Sequence, residues 1–351
     1  MTGHVRAAVG VLALAILAGC AAGVPSATPS PAPLNVGVLL DSGSENDRSF
    51  NEYTLKGARE AAEETGFAFE YRVPLSADDY DSALEALIAE VQPALVITVG
   101  FRMGDATARS ARRHSDVRFA IVDNAYSPGA GCAETVEDCY SAEGGLSNVT
   151  SLMSAEDEAA YLAGVLAGCM TDSGIVATVA GQEIPPVYRL VTGFENGART
   201  SHPDITTLHQ YIPDFNDPDT GQVVGQGFIR DGADVIFGAG GNTGNGGLLA
   251  AKQAGVMAIG VDVDQYFTYP DVADALLTSA AKNVDVIAHA AVTDFAAGTL
   301  EAGIRLGTLS NGGVGLAPYH DWDARIPQEC KEQVTAAEAA VKADPTITGA
   351  K

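Results

Sequence analysis

Short apolar runs alternate with amphipathic segments along most of the chain. Residues 36–40 form an uninterrupted apolar run, which is typical of a strand buried on both faces. Apolar residues then recur at helical spacing up to Gly66, and Ser49 and Glu52 have the spacing of a capping box. The same pattern predicts further strands at 67–72, 94–99, 118–122, 175–179, 206–211, 235–238, 256–261 and 275–279, a short apolar segment at 313–318, and further helices at 77–91, 103–114, 156–170, 186–201, 221–231, 244–254 and 284–297.

Repeated β-α units predict an α/β fold with parallel, doubly wound sheets and right-handed crossovers. The chain exceeds the usual size of a single core, and two series of units, each of about 110 residues, therefore predict two lobes. We expect a first lobe of residues 35–147 with 266–305, a second lobe of 148–265 with 306–335, and a C-terminal tail of 336–351.

Polar residues stand at several predicted strand ends. Ligands of doubly wound sheets bind beyond the carboxyl ends of the strands, so these residues are the first candidates for a site. They are Asp41, Asp123, Asn124, residues 238–245 and Asp262.

The N-terminal segment has the layout of a secretory signal. Residues 7–18 are an apolar run after Arg6, too short to span a bilayer, and the run leads into Leu-Ala-Gly-Cys at 17–20. This tetrapeptide resembles the lipobox of bacterial lipoproteins, which implies cleavage of residues 1–19 and lipidation of Cys20; the alternative is an ordinary signal peptide. Residues 20–34 contain four prolines and predict a semi-rigid tether, so the functional part begins near Asn35, outside the cytoplasmic membrane.

The composition narrows the class of partner. The 351 residues include 20 Lys and Arg against 45 Asp and Glu, a formal net charge of −25. Such a charge repels phosphate backbones and anionic lipid, so we expect no nucleic-acid partner and no electrostatic adsorption to a membrane.

Four cysteines remain after Cys20, and export permits disulfides. They allow three pairings. Cys132 and Cys139 share one glycine-rich loop, which favours a local bridge and leaves Cys169 with Cys330 as the residual pair. No C-x-x-C or histidine cluster accompanies them, so we expect no metal site.

An ordered set of motifs carries a family resemblance. The sequence VGVLLD at 36–41, followed by DRSFN at 47–51, is similar to the D-x-G…D-K-S-F-N opening of the basic membrane protein family. Further matches follow in family order: NVTS (148–151), EAAYLAG (158–164), DGADVIF (231–237), GVDVDQ (260–265), TSAAKNVD (278–285) and GGVGLAPY (312–319). Each motif is weak alone, but the ordered set over residues 35–320 is specific.

The resemblance implies both fold and function. Members of this family are bacterial lipoproteins that serve as substrate-binding proteins of ABC transporters, and purine nucleosides are their characterised ligands. The implied architecture is a type I periplasmic-binding fold, with two Rossmann-like lobes, three hinge crossovers and the ligand in the cleft. The chain departs from the family pattern at Asn46, where the family often has an acid, so the resemblance does not specify the base.

The resemblance also suggests which residues recognise a base. Phe50 would stack on it, a contact worth about 1–3 kcal/mol, although Phe50 could instead pack the first helix on the sheet. Phe194 is the candidate for the opposite face, with Tyr188 as a substitute, unless Phe194 is a core residue. Asp47 is expected to cap or orient its loop. Four side chains could bind the base edge through amide or carboxylate groups: Asp41, Asn46, Asp123 and Asn124. Alternatively, the aspartates cap turns.

Other residues are candidates for sugar recognition. The resemblance implies that Asp262 accepts hydrogen bonds from a ribose diol and that Lys282 donates to the sugar or neutralises Asp262. The alternative is a structural Asp–Lys pair near the hinge. The backbone N–H groups of Gly240 and Gly241 could also approach the sugar.

No catalytic motif accompanies these residues. The six histidines have no metal-ligand spacing, no G-x-S-x-G elbow occurs, and the glycine-rich turn at 238–247 lacks a G-K-[ST] ending. We therefore expect no enzyme activity, cofactor or metal. The expected protein is a monomer that binds a nucleoside, permease and ATPase subunits, and the membrane through its lipid. A sensing receptor and a binding protein for a sugar or small amide remain as alternatives; a nucleoside hydrolase would need a metal-binding aspartate cluster that is missing.

Overall fold

The computed structural model describes residues 1–4, 34–41 and 43–350. The predicted signal segment, Cys20 and the tether lie almost entirely outside these residues. The strands are, in chain order, β1 (Asn35–Leu39), β2 (Ala68–Arg72), β3 (Leu95–Val99), β4 (Arg118–Val122), β5 (Ser127–Pro128), β6 (Gly131–Cys132), β7 (Val149–Ser154), β8 (Ile175–Ala180), β9 (Thr206–Tyr211), β10 (Val235–Ala239), β11 (Met257–Asp262), β12 (Leu276–Ala281), β13 (Gly303–Gly307) and β14 (Gly315–Leu316).

Two six-stranded sheets form the centres of two lobes. The first has the order β13-β7-β4-β3-β1-β2 and the second β14-β12-β11-β10-β8-β9. All pairs are parallel except β12 with β14. Strand β3 is buried at every residue, which explains its unbroken apolar sequence. The fold is the predicted α/β arrangement of two doubly wound lobes.

Helices cover both faces of each sheet. In chain order they are α1 (Phe50–Thr65), α2 (Tyr80–Val91), α3 (Gly104–Arg113), α4 (Glu156–Met170), α5 (Pro185–Ser201), α6 (Pro218–Arg230), α7 (Gly241–Ala254), α8 (Gln265–Thr268), α9 (Val284–Ala297) and α10 (Gln328–Ala343). The predicted bounds of β4, β9, α4 and α9 agree with the structure, but β7, β13 and α10 were not predicted.

The chain crosses between the lobes three times. Ala155 joins β7 to α4, residues 282–283 join β12 to α9, and residues 308–314 join β13 to β14. Helix α9 packs on α1 of the first lobe, whereas α4 packs on α5 and α10 of the second. The three hinge crossovers expected for a type I periplasmic-binding fold are therefore present.

The strand pairing corrects the expected lobe boundaries. Strand β7 lies in the first sheet, although residues from 148 onward were expected in the second lobe. Strand β12 pairs with β11 in the second sheet, although 266–305 were expected in the first. Residues 336–343 belong to α10, not to a tail. A buried apolar strand suits either sheet equally well, so local sequence does not determine which sheet it joins.

The start of α1 also differs from the expected capping box. The carboxylate of Asp47, not the Ser49 hydroxyl, accepts the backbone N–H groups of Asn51 and Glu52, at 2.9 and 3.1 Å. Glu52 accepts the backbone N–H of Arg48 at 2.9 Å, close to the reciprocal half of the motif. The expectation that Asp47 caps this segment is confirmed, and the Ser49 side chain is left available for another partner. At the other end, Gly66 has a φ of 74°, the left-handed conformation expected of a C-terminal glycine.

Both expected disulfides are present. Cys132–Cys139 closes the glycine-rich loop, and Cys169–Cys330 joins α4 to α10; each has a Cα–Cα distance of 5.6 Å. None of the helices in the described part of the chain combines the length and the hydropathy that a membrane span requires.

Candidate ligand-binding cleft

A cleft separates the two lobes at the carboxyl ends of their strands. The empty space in it, including the part open to solvent, amounts to about 590 Å³. The polar part of its lining includes five side chains from the first lobe and hinge and one from the end of β11: Asp41, Asp47, Asn51, Asp123, Lys282 and Asp262.

Aromatic rings line the cleft from both lobes. Phe50, in the first turn of α1, and Phe101 come from the first lobe, and Phe215, in the loop before α6, comes from the second. Around them lie aliphatic residues at the start of α5, namely Ile184, Pro186, Val187 and Leu190. A flat, uncharged group could therefore contact apolar surface on both sides.

Two of the predicted strand-end acids adopt left-handed backbone conformations. Asp123 follows β4 with a φ of 65°, and Asp262 ends β11 with a φ of 67°. Aspartate tolerates this region better than most residues, but such conformations still cost free energy and concentrate at functional sites. Both residues line the cleft. Asp41, after β1, lines the same cavity and accepts a hydrogen bond from the Tyr80 hydroxyl.

Lys282 is the cation of this site. Its side chain is 2% exposed, its ammonium bonds to Asp123, and it lies 4.9 Å from the centre of the Phe50 ring. Burial would lower the pKa of Lys282, but Asp123, Glu156 and Asp262 outweigh burial and raise it. The lysine therefore stays charged and compensates several buried carboxylates.

Glu156 completes this charge cluster behind the cleft. It begins α4 at the first crossover, is fully buried, and accepts hydrogen bonds from Arg189 at 2.8 and 2.6 Å. Burial is the largest effect on its carboxyl and raises the pKa of Glu156 to about 7, although Lys282 and Arg189 oppose that rise. Burial also raises the pKa of Asp47, to about 7, although the backbone N–H groups that bond to its carboxylate oppose that rise.

Two acceptor atoms on the cleft wall are unsatisfied. Asn51 Oδ1 and Asp123 Oδ1 are buried and have no hydrogen-bond partner among the residues that the structure describes. A buried acceptor without a donor costs roughly 1–3 kcal/mol. A ligand with N–H or O–H groups would remove that cost.

The loop before α1 touches the opposite lobe. Asn245 Nδ2 donates to the Asp47 backbone oxygen at 2.8 Å, and Thr268 Oγ1 donates to the Arg48 backbone oxygen at 2.7 Å. Arg48 also pairs with Asp271 at 3.1 Å. These contacts hold the lobes in a closed arrangement around the cavity.

Most predicted site residues meet in the cleft. Asp41, Phe50, Asp123, Asp262 and Lys282 line it together with Gly240 and Gly241. Gly240 has a φ of 151°, and a Cβ there would lie 2.3 Å from the backbone nitrogen of Gly181, so a glycine is also required by the close approach of two loops.

Phe194, Asn46, Asn124 and Tyr188 do not line the cavity. Phe194 is fully buried in the second lobe, and its ring centre lies 4.9 Å from that of Phe237. The alternative that Phe194 is a core residue is therefore correct. It sits there because small residues let α5 approach α4 closely: a Cβ on Gly164 would lie 2.0 Å from the Phe194 oxygen. Asn46 is exposed, Asn124 is buried beside Gly104, and Tyr188 is 45% exposed on α5.

Sequence reasoning missed Phe215 and Glu156. Phe215 lies in a loop without periodicity, and only its folded position, with its ring against Gly181, brings it to the cleft. Glu156 starts a helix and so resembles an ordinary N-terminal acid. Its position directly at a hinge was the only available signal.

Comparison with known proteins identifies the family of this chain. The model of the Bmp family, described as ABC transporter substrate-binding protein PnrA-like, matches residues 34–341. This chain belongs to the Bmp family. The resemblance seen in the sequence motifs is therefore confirmed, and the Bmp chain is a substrate-binding protein of an ABC transporter.

The alignments with several relatives cover most of this chain. An uncharacterized lipoprotein of Pyrococcus abyssi is 30% identical, with 90% of this chain and 76% of the relative covered. The ABC transporter nucleoside-binding protein BmpA of Lactococcus lactis is 29% identical, with 88% and 89% covered. Among solved structures, a solute-binding protein of an ABC transporter system from Aeropyrum pernix has a TM-score of 0.72 at 26% identity, with 88% and 86% covered.

Proposed function

We propose that this Bmp-family protein is a lipid-anchored receptor that captures a nucleoside, with a purine as its base, in the cleft between its lobes. The closed lobes would then present the ligand to a permease. The observation that supports this most is the pair of buried acceptors, Asn51 Oδ1 and Asp123 Oδ1, that lack a donor among the described residues. The N–H groups of a base and the hydroxyls of a ribose are donors of the required kind.

The apolar part of the cleft suits a base. Phe50 from the first lobe and Phe215 from the second would contact its two faces, and each stacking contact is worth about 1–3 kcal/mol. Phe215 thus takes the place that the sequence assigned to Phe194. Asp41 and Asp123 would accept hydrogen bonds from the base edge.

The charge of the lining favours a neutral ligand. Four carboxyl groups line the cavity, from Asp41, Asp47, Asp123 and Asp262, and Lys282 is already paired with Asp123. A phosphate would meet net negative charge there, so we expect nucleosides and not nucleotides to bind. Asp262 would accept hydrogen bonds from the ribose diol.

Membrane anchoring is inferred from the sequence and from relatives. The Leu-Ala-Gly-Cys segment lies outside the described residues, and relatives of this chain are named lipoproteins. Lipid on Cys20 and a tether through residue 34 would keep the receptor on the extracytoplasmic face of the membrane.

Isothermal titration calorimetry of the detergent-solubilised full-length protein tests the ligand class. Inosine and adenosine should bind, ribose should bind far more weakly, and inosine 5′-phosphate should not bind. Phe50→Ala should lose about 1–3 kcal/mol of inosine affinity. The matched control Phe267→Ala, an aromatic residue 69% exposed outside the cleft, should lose none.

Binding of ribose with the same affinity as inosine, unchanged by Phe50→Ala, would instead identify a sugar receptor. An absence of heat and of thermal stabilisation with every nucleoside would refute the proposed ligand class altogether.

A further inference from the structure

Ser49 occupies a helix-capping position but uses its side chain elsewhere. It directly precedes α1, where a serine hydroxyl ordinarily accepts a backbone N–H of the first turn. Within the described residues its hydroxyl makes no such bond, because Asp47 accepts those N–H groups. Ser49 Oγ instead donates to Asp262 Oδ2 at 2.6 Å.

This hydrogen bond crosses from one lobe to the other. Ser49 belongs to the first lobe and is fully buried, while Asp262 ends β11 in the second lobe and is 5% exposed. Burial, together with the charge of Asp123, raises the pKa of the Asp262 carboxyl above its ordinary value, and Lys282 and the Ser49 hydroxyl each oppose that rise. Ser49 therefore helps keep a buried carboxylate charged and fixes the orientation of its plane.

The hydrogen bond from Ser49 holds Asp262 Oδ2. Because the carboxylate is planar, the same bond restrains the direction in which Asp262 Oδ1 points. We propose that Ser49 is a positioning residue that sets the preference for a sugar diol, because it aligns Asp262 when the lobes close. This inference rests on the proposed function, in which Asp262 accepts hydrogen bonds from the ribose. A ligand without one of the hydroxyls would leave an aligned, buried carboxylate oxygen unpaired, which is the condition under which a site discriminates strongly.

A simpler role for Ser49 would be to hold the lobes together. Thr268 offers a matched control for that role, since its hydroxyl also bonds across the lobes, to the Arg48 backbone oxygen at 2.7 Å. Thr268 bonds to the residue next to Ser49 and has no hydrogen bond to Asp262 among the described residues. Loss of its hydroxyl should affect closure without affecting the alignment of Asp262.

The test compares ligands that differ only in the diol. Inosine, 2′-deoxyinosine and 3′-deoxyinosine are titrated calorimetrically into the full-length protein and its Ser49→Ala, Ser49→Thr and Thr268→Ala variants. Ser49→Ala should weaken inosine binding roughly tenfold, the effect of one charge-assisted hydrogen bond, and should bring the three ligands to within about threefold of one another. Ser49→Thr, which keeps the hydroxyl, should retain the preference. Thr268→Ala should weaken all three ligands by one common factor.

If Ser49→Ala also weakened all three ligands by one common factor, the positioning role would be overturned. Inosine binding by the unaltered protein would in that case leave the proposed function intact. Failure of the folded, unaltered protein to bind any of the three would overturn both. If Ser49→Ala does not fold, Ser49→Cys, which keeps most of the volume but donates weakly, should show the same loss of preference; a retained preference in that variant would refute the assignment.

Discussion

Lys282 and Asp123 form an ion pair that joins the two lobes. Asp123 follows a strand of the first sheet and Lys282 follows a strand of the second, and their side chains are only 6% and 2% exposed. Glu156 and Asp262 lie close enough to raise the pKa of the same lysine. One cation therefore compensates carboxylates from both lobes at the position where the chain crosses between them.

Replacement of this cation should destabilise the protein. In Lys282→Met the buried Asp123 loses its ion-pair partner, and removal of one partner from a buried pair typically costs about 3–5 kcal/mol. Urea unfolding at neutral pH measures the loss. The control Lys342→Met removes an exposed lysine paired with Glu338, and it should change the free energy of unfolding by less than about 1 kcal/mol. Equal effects of the two substitutions would contradict the role of Lys282.

Phe194 and Phe215 should respond to substitution in opposite ways. Phe194 is a core residue, so Phe194→Ala should lower the free energy of unfolding by about 3–5 kcal/mol. Phe215 lines the cleft, so Phe215→Ala should mainly reduce nucleoside affinity, by about 1–3 kcal/mol. Urea unfolding and calorimetry on both variants separate the two effects. A loss of affinity in Phe194→Ala without any loss of stability would restore Phe194 as the contact.

The buried Glu156 should make stability fall as pH rises. Its pKa in the folded protein, about 7, lies above its ordinary value of 4.5. Between these values the folded state holds a proton that the unfolded state has lost, so stability decreases from pH 4.5 to pH 7. Glu156→Gln, which keeps an acceptor for Arg189, should reduce this decrease when urea unfolding is compared at pH 5 and pH 7.5.

Glu85 provides the control of opposite sign. Burial raises the pKa of Glu85, but hydrogen bonds from Arg113, His114 and Ser110 outweigh burial and lower the pKa to about 2. Its stabilising effect is therefore present throughout pH 5–7.5 and is lost only as pH falls from 4.5 towards 2. Glu85→Gln should lower stability at both pH 5 and pH 7.5. An unchanged slope in Glu156→Gln would show that Glu156 is ionised throughout this range.

The two disulfides should differ in their contribution to stability. Cys169–Cys330 spans 161 residues and Cys132–Cys139 spans 7, and the chain-entropy relation gives about 5 and about 2 kcal/mol for such loops. The double substitution Cys169→Ser with Cys330→Ser should therefore lower the thermal midpoint more than Cys132→Ser with Cys139→Ser. The reverse order, in thermal unfolding of both variants, would show that the bridge between α4 and α10 does not restrain the unfolded chain.

The sequence alone determined the fold class, most elements and the set of strand-end acids. Apolar periodicity is a local property, so it located β4 and α4 to the residue. The topology of parallel sheets places Asp123 and Asp262 at the carboxyl edges of their respective sheets, and both residues line the cleft. Only the tertiary structure decided which sheet β7 and β12 join, since a strand buried on both faces carries no record of its neighbours. It also decided that Phe194 is core and Phe215 faces the cleft, and that the Ser49 hydroxyl bonds to Asp262 and not to its own helix. These outcomes depend on contacts between residues far apart in the chain, which local spacing does not encode.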